Sequence, residues 1–380
     1  MTAASGEQRL GLGLIGSGFM GRTHALGFLN APRVFRLPVA AELELLADAT
    51  PELAARAAGS LGFRRSTGSW RDLIADPAVQ IVDITTPNTL HKEMALAAIA
   101  AGKHVYCEKP LAPTAADARE MTLAAERAGV VTAVGFNYLK NPMVKLAREM
   151  IANGEIGELR SFQGVHAEDY MADADAPWTW RLDPAGGGGA LADIGSHIIA
   201  MARYLMGPIE RVMGDVATVI GSRPVAPGSS ERRKVEVDDV ARALVRFANG
   251  ASGSLEANWL AAGRKMRLDF EIIGSKGALA FTQERFNELQ LYRIDDVRGR
   301  RGFCTILAGP EHPPYGDFCV AGGHQLGFND LKTIEVGDFL RALAGEKTGH
   351  ADFREGLAVM ETMEAIYASA REQRWVRVSA

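Results

Sequence analysis

The chain has 380 residues, of which 47% are hydrophobic and 23% charged, with a formal net charge of -4. That length allows roughly two domains with separate cores, and the mild negative charge argues against nucleic acid or an acidic membrane surface as a partner. Three cysteines (Cys107, Cys304, Cys319) form no CxxC pair and no Cys/His cluster, so neither a metal site nor a disulfide framework is expected, and a cytoplasmic setting is.

Residues 1–9 carry no apolar signal core, and no segment approaches the ~20 apolar residues of a membrane span. Residues 10–15 read as a buried strand that runs into Gly16-Ser17-Gly18-Phe19-Met20-Gly21. This GxGxxG at a strand-to-helix junction suits a dinucleotide. Gly16 permits the turn, Gly18 lets backbone approach a pyrophosphate, and Gly21 lets the helix pack close. The helix N-terminus then offers free N–H groups to phosphate. A second strand over 42–48 ends at Asp48, an acid placed to hold ribose hydroxyls. Its 27-residue distance from Gly21 exceeds the usual ~20, and the excess, residues 30–41 with Pro32 and Pro38, reads as a surface insertion. No arginine adjoins Asp48, which favours NAD over NADP, although Arg64-Arg65 could fold back onto a phosphate. The alternative for Asp48 is a helix cap ahead of Pro51.

Helices are expected over 51–58, from Ser69, over 90–101 and over 114–127. Strands are expected over 79–84, 105–108 and 130–135. This alternation predicts a parallel, doubly wound sheet. Its strand ends carry Thr86, Asn88, Glu108 and Lys109. Lys109 ends a short apolar strand and precedes Pro110, at the sheet edge where ligands bind. Without context a solvated strand-end lysine is an equal alternative.

Gly16–Gly21, Asp48, Thr86-Pro87-Asn88-Thr89-Leu90-His91 and Glu108-Lys109-Pro110, extended by Asp193 and His197, resemble the glucose–fructose oxidoreductase/inositol dehydrogenase (Gfo/Idh/MocA) family over essentially the whole chain. The resemblance implies an NAD-binding Rossmann domain, residues 1–136, and an α+β domain, residues 137–380, with a large, open, mainly antiparallel sheet. The last helix is expected to pack back on the first domain. It further implies cofactor contacts from Gly16, Ser17, Gly18, Phe19, Met20, Asp48, Thr86, Asn88, His91, Glu108, Lys109, Asn137, Trp180 and Arg181. Lys109 would lie beside the nicotinamide, and Tyr138 near it.

A helix is expected over 142–152, then a long strand over 158–169. Residues 173–183 are polar and aromatic, with Asp173, Asp175, Trp178, Trp180 and Arg181. They read either as a solvated loop with one tryptophan anchor or as a substrate-facing loop, where tryptophan stacks on a sugar ring and Arg181 donates to hydroxyls. Gly186 to Gly189 precede a helix that carries Asp193 and His197 four apart, on one face. Spacing alone favours a surface pair, or a buried histidine with a satisfied hydrogen bond. Beside Lys109 and the family match, it reads as a carboxylate–imidazole pair that takes a proton from a hydroxyl.

Strands follow over 212–220, 240–247, 252–259, 268–273 and 279–282, with a hairpin at Asn249-Gly250. Meandering strands predict an antiparallel sheet open on one face, which suits subunit pairing. Residues 222–234 read as a mobile loop. Residues 309–329 hold the tract Gly322-Gly323-His324-Gln325, which resembles a segment that in sugar- and inositol-oxidising relatives reaches a neighbouring subunit's active site. Helices over 331–344 and 353–371 close the chain.

The reading is an NAD-dependent dehydrogenase of a small uncharged cyclic polyol or sugar. Lys109, Asp193 and His197 are the catalytic candidates. Tyr138, Asp175, Arg181 and His324 join them at the substrate, and a homotetramer, or else a homodimer, is expected. The rivals are an NAD-using glycosidase of the same family, selected by glycoside cleavage without net NADH, and a non-catalytic NAD-dependent sugar sensor.

Overall fold

A computed structural model of the chain describes residues 8–379. The expectation about the chain's start therefore lies outside the described residues, except for Gln8 and Arg9, which open the first strand. The chain divides into two compact units, Met1–Lys140 with Leu326–Leu357, and Asn141–Gln325 with Ala358–Ala380.

The first unit is built on six parallel strands. They are β1 (Gln8–Ile15), β2 (Val39–Ala47), β3 (Arg65–Thr67), β4 (Ile81–Ile84), β5 (His104–Cys107) and β6 (Thr132–Val134), in the order β3-β2-β1-β4-β5-β6. Every neighbouring pair is parallel. Helices α1 (Phe19–Val34), α2 (Pro51–Leu61), α3 (Trp70–Ala75), α4 (His91–Ala100) and α5 (Ala115–Ala128) connect them. The predicted doubly wound sheet is present. Its inner strands are buried and mainly apolar because a parallel sheet is covered on both faces, with Asp83 the polar exception in β4. The strand order puts the ends of β1 and β4 side by side, where such sheets bind ligands.

The predicted insertion at 30–41 is instead structure. Helix α1 runs through Pro32 to Val34, and β2 starts at Val39. The extra spacing before Asp48 is helix and strand length, with Ala31, Phe35 and Val39 buried.

The second unit opens with α6 (Pro142–Ala152) and β7 (Leu159–Ala167), and continues through a wide turn at Leu191–Gly195 into α7 (Ser196–Met206). The strands β8 (Ile209–Ala217), β9 (Ser222–Pro224), β10 (Arg232–Lys234), β11 (Val240–Phe247), β12 (Ser252–Asn258), β13 (Arg267–Gly274), β14 (Gly277–Thr282), β15 (Glu288–Arg293) and β16 (Cys304–Leu307) follow. A short helix α8 (Tyr315–Phe318), the helices α9 (Phe328–Leu343) and α10 (Phe353–Glu372), and β17 (Val376–Arg377) end the chain. The large sheet has nine strands in the order β16-β15-β14-β13-β7-β12-β11-β8-β17. It is antiparallel except where β12 lies parallel to β7. Strands β15 to β17 go beyond those the sequence signalled. Along β11 the buried and exposed residues alternate, so Arg242, Leu244 and Arg246 point to an uncovered face.

The predicted mobile loop at 222–234 is also corrected. Strands β9 and β10 pair as a hairpin. Its Arg223 is fully buried and donates to the main-chain oxygens of Asp173 and Met171, at 2.6 Å each. Proline, glycine and charge suggested solvent there. The guanidinium instead satisfies carbonyls of a neighbouring irregular segment that has no strand partner for them.

Helix α9 belongs to the first unit, where it packs on α1. A Cβ added at Gly27 would lie 3.1 Å from Val336 and 3.2 Å from Lys332.

Candidate active site

In the first unit, Gly16 turns at φ +94, a conformation that favours glycine. A Cβ at Gly21 would sit 2.1 Å from the Gly16 carbonyl oxygen, so only glycine lets α1 start this close to the turn. Nothing lies within 4 Å of the corresponding point on Gly18, which leaves that backbone open to a ligand. The Asp48 carboxylate accepts from the Ser17 N–H at 3.0 Å and from the Ser17 hydroxyl. It thus lies against the glycine turn. Thr50, not Asp48, caps α2, with its hydroxyl accepting the Leu53 N–H. These residues fit the adenosine and pyrophosphate of a dinucleotide. Arg64 pairs with Glu42 and Glu44, and Arg65 with Glu44 and Asp76, so both have carboxylate partners already.

Phe19 is exposed at the glycine loop and stacks on Phe328, with ring centroids 5.6 Å apart. Tyr138 lies 6.0 Å from the same Phe328 ring. Asn137 is buried, and its amide nitrogen has no hydrogen-bond partner.

At the strand ends, two expected site side chains turn inward. His91 was expected at the cofactor. Its ring is fully buried, with Nδ1 3.0 Å from the Pro110 oxygen and Nε2 2.9 Å from the Thr86 oxygen. Burial pushes this imidazole down. It braces two strand ends from inside. Glu108 was expected to contact the nicotinamide end, but its carboxylate also turns inward. It lies 2.8 Å from His24 Nε2 and 3.3 Å from Lys332 Nζ, and it accepts the Lys109 N–H at 3.1 Å. Sequence reasoning missed His24 and Lys332. His24 follows Gly21 by three residues on the buried face of α1, a signal that could have been used. Lys332 gave none, because a lysine on a long helix reads as solvated. Thr86 is half-buried and Asn88 buried at the end of β4.

In the second unit, the turn at Leu191–Gly195 and α7 carry Asp193 and His197. The Asp193 carboxylate accepts from the Tyr170 hydroxyl at 2.7 Å and from Arg181 Nε at 3.0 Å. Desolvation and the Asp193 charge hold the Tyr170 hydroxyl far above its usual range, so it stays a donor. Arg181 also lies over the Trp180 ring, 4.5 Å from its centroid. Asp193, Arg181 and Trp180 are thus brought together, with Tyr170 as an unforeseen fourth member. His197 is buried, its ring 5.6 Å from that of His166. His166 Nδ1 is 2.8 Å from the Ile194 oxygen and Nε2 is 2.9 Å from Glu168.

The start of this helix is anchored by Asp238. Its carboxylate accepts the Leu191 N–H at 2.8 Å and the Tyr367 hydroxyl at 2.7 Å. A Cβ at Gly189 would come 2.3 Å from the same carboxylate, which accounts for one glycine of the run before the helix. Asp175 is mostly exposed and pairs with Arg232 at 3.0 Å. Trp178 lies under Arg233, whose guanidinium is 3.6 Å from the ring centroid. Asp173 and His324 are exposed.

Residues 10–136 match the oxidoreductase family with NAD-binding Rossmann fold, and residues 144–280 match the GFO/IDH/MocA C-terminal domain. A levoglucosan dehydrogenase of Pseudarthrobacter phenanthrenivorans is 41% identical over 385 residues, covering 98% of each chain. The chain belongs to the GFO/IDH/MocA oxidoreductase family. It is an NAD-dependent enzyme. A 1,5-anhydro-D-fructose reductase of Ensifer adhaerens is 33% identical, covering 70% of this chain and 74% of that one. Among solved structures, a levoglucosan dehydrogenase in complex with NADH and levoglucosan superposes with a TM-score of 0.94 at 42% identity, covering 98% of this chain and all of that one. Among the described residues, no helix is long and apolar enough to cross a membrane.

Proposed function

We propose that this enzyme oxidises a secondary hydroxyl of a small, uncharged, ring-shaped sugar or polyol, and that an anhydrosugar of the levoglucosan type is its foremost substrate. The observation that carries the reading is Asp193, whose carboxylate is oriented by Tyr170 and Arg181, with the part-exposed Trp180 ring against that arginine. Such a set offers acceptors, a donor and an aromatic surface to a ring with hydroxyls. One arginine already tied to a carboxylate makes a poor trap for a phosphate or an acid. The full-length likeness to a levoglucosan dehydrogenase supports the choice of sugar.

NAD, held by Gly16, Ser17, Gly18, Phe19, Met20 and Asp48, supplies the hydride acceptor. Lys109 orients the reacting hydroxyl and stabilises its developing negative charge. His197 takes the hydroxyl proton, with Asp193 fixing or sharing it. Thr86, Asn88 and Asn137 line the cofactor's side, and Tyr138, Asp175 and Arg181 the substrate's. The reading also includes a cytoplasmic homotetramer paired through the uncovered sheet face, with His324 completing a partner's pocket. A shallow hollow on that face, lined by Gln163, Arg242, Leu244 and Glu256, supports the pairing.

The test is NADH formation across a panel of anhydropyranoses, pyranoses and inositols. Turnover strongest with an anhydropyranose or pyranose is expected. No NADH from any ring polyol contradicts the reading. For the assembly, the mass in solution and the KM of a His324→Ala variant decide. A monomer or an unchanged KM refutes the shared pocket.

A further inference from the structure

Beneath the end of β5 lies a chain of buried ionisable groups that the proposed chemistry does not use. His24 Nδ1 is 2.9 Å from Asp83, and its Nε2 is 2.8 Å from Glu108. Lys332 Nζ is 3.3 Å from Glu108, 2.7 Å from Glu335 and 3.2 Å from the Tyr106 hydroxyl. The Tyr106 hydroxyl also donates to Glu335. Asp83, His24, Tyr106 and Lys332 are 0% exposed, Glu335 1% and Glu108 5%. Burying charge is costly, and replacing a buried ion pair by apolar groups is often neutral or stabilising. A fold that keeps six such side chains on α1, β4, α9 and β5 with its end therefore gains something other than stability from them.

What they touch indicates the gain. Glu108 is the one member whose carboxylate reaches the main chain of the strand end, where Oε2 accepts the Lys109 N–H. Gly135 makes room for it, since a Cβ there would lie 2.3 Å from Glu108 Oε1. His91 holds the next residue through the Pro110 oxygen. The main chain of Lys109 is thus fixed on both sides by buried side chains.

We propose that His24, Glu108 and Lys332 are positioning residues for Lys109: the two cations clamp the Glu108 carboxylate inside the sheet, and the carboxylate fixes the peptide from which the lysine projects. The inference rests on the catalytic role of Lys109. The protonation states agree with the geometry. Burial would raise the Glu108 carboxyl, but the Lys332 charge and the His24 bond outweigh it, and Lys109's own charge adds to them. The group is held well below the usual carboxylate range. Burial and the Lys332 charge would lower the His24 imidazole, but the Asp83 charge and the bonds to Asp83 and Glu108 together raise it. Burial would likewise lower Lys332, while Glu335 and Glu108 raise it.

The experiment compares four variants of the full-length enzyme: Glu108→Gln, the paired Lys332→Met with Glu335→Leu, Tyr106→Phe and Lys109→Ala. The paired variant removes one clamping cation without stranding a buried charge. Tyr106→Phe disturbs the network on the side away from Glu108. Steady-state kcat, NADH affinity from fluorescence titration, and Tm are measured for each. A misplacement of ångström scale costs about 100-fold in rate. The expected result is a kcat loss of about 10- to 100-fold in Glu108→Gln and in the paired variant, with NADH affinity within about threefold. Tyr106→Phe keeps kcat within about twofold at a comparable Tm loss. The proposal is overturned if Glu108→Gln and the paired variant keep wild-type kcat while Lys109→Ala is inactive. It is equally overturned if kcat falls in all the network variants in proportion to Tm, since the network then serves stability alone. Normal turnover in Lys109→Ala instead removes the catalytic role on which the proposal rests.

Discussion

Arg181 and Asp193 are joined by a 3.0 Å hydrogen bond from Nε to the carboxylate, so the aromatic loop and the start of α7 hold each other in register. Tyr170 adds a second donor to the same oxygen. A hydrogen bond to a charged group contributes about 1.5–3 kcal/mol. Tyr170→Phe is therefore expected to lower kcat/KM for the best sugar by about 10- to 100-fold, with NADH binding unchanged. An unchanged kcat/KM would show that Asp193 needs no orientation from Tyr170.

His197→Ala is expected to remove most activity together with the dependence of the rate on pH near neutrality. The comparison is a kcat/KM profile against pH for wild type and variant. A variant that keeps the wild-type profile would move the base elsewhere, and Asp193 would be the leading candidate.

Asp48 lies against Ser17, while Arg64 and Arg65 are paired with carboxylates. A 2′-phosphate thus meets negative charge, while Arg64 and Arg65 already have carboxylate partners. NADP should give a kcat/KM at least about 100-fold below that of NAD, and Asp48→Ala should narrow the gap. Equal use of both cofactors in the wild type would mean that another cation outweighs the carboxylate.

Arg223 is buried with its guanidinium on two main-chain oxygens of the segment leading to Trp178. Arg223→Met leaves those carbonyls unpaired, at a cost of about 1–3 kcal/mol each. The expected outcome is a lower Tm and a raised KM for the sugar, with NADH affinity near wild type. If sugar KM does not move, the hairpin is irrelevant to the loop's conformation.

Glu108 predicts a stability window in acid. Its carboxyl is depressed in the folded state and ordinary, near 4.3, when unfolded. A depressed carboxyl contributes its full stability above the unfolded value and loses it as pH falls below that value toward the folded one. Denaturant unfolding should show wild-type stability declining below about pH 4, with a shallower decline in Glu108→Gln, which starts lower at neutral pH. Parallel declines would show that Glu108 is not a linked group.

Much of the first unit was legible because its signals are local. The glycines from 16 to 21 and the helix start at Ser69 each act within a few residues, whereas the cap ahead of Pro51 is Thr50 and not Asp48. Asp193 and Arg181 stood out in the sequence as candidates, but their bond was not legible. Twelve positions apart on an irregular segment, they share no period. The buried partners were hidden for a related reason. Lys332 and Glu108 are separated by 224 positions, and a charged residue on a helix normally signals water. Pro32 misled because its ring usually breaks a helix interior, whereas here it falls in the last turn of α1. Arg223 misled because a guanidinium in a proline- and glycine-rich stretch looks solvated, and its carbonyl partners lie about fifty residues upstream.

The central claim, a dehydrogenase whose chemistry turns on the lysine at the end of β5, is tested most directly by following NADH formation from levoglucosan with wild type and Lys109→Ala, each first shown by fluorescence titration to bind NADH. The account predicts steady NADH production by the wild type and a loss of orders of magnitude in kcat for the variant, with NADH affinity nearly intact. Near-normal turnover by Lys109→Ala would contradict it.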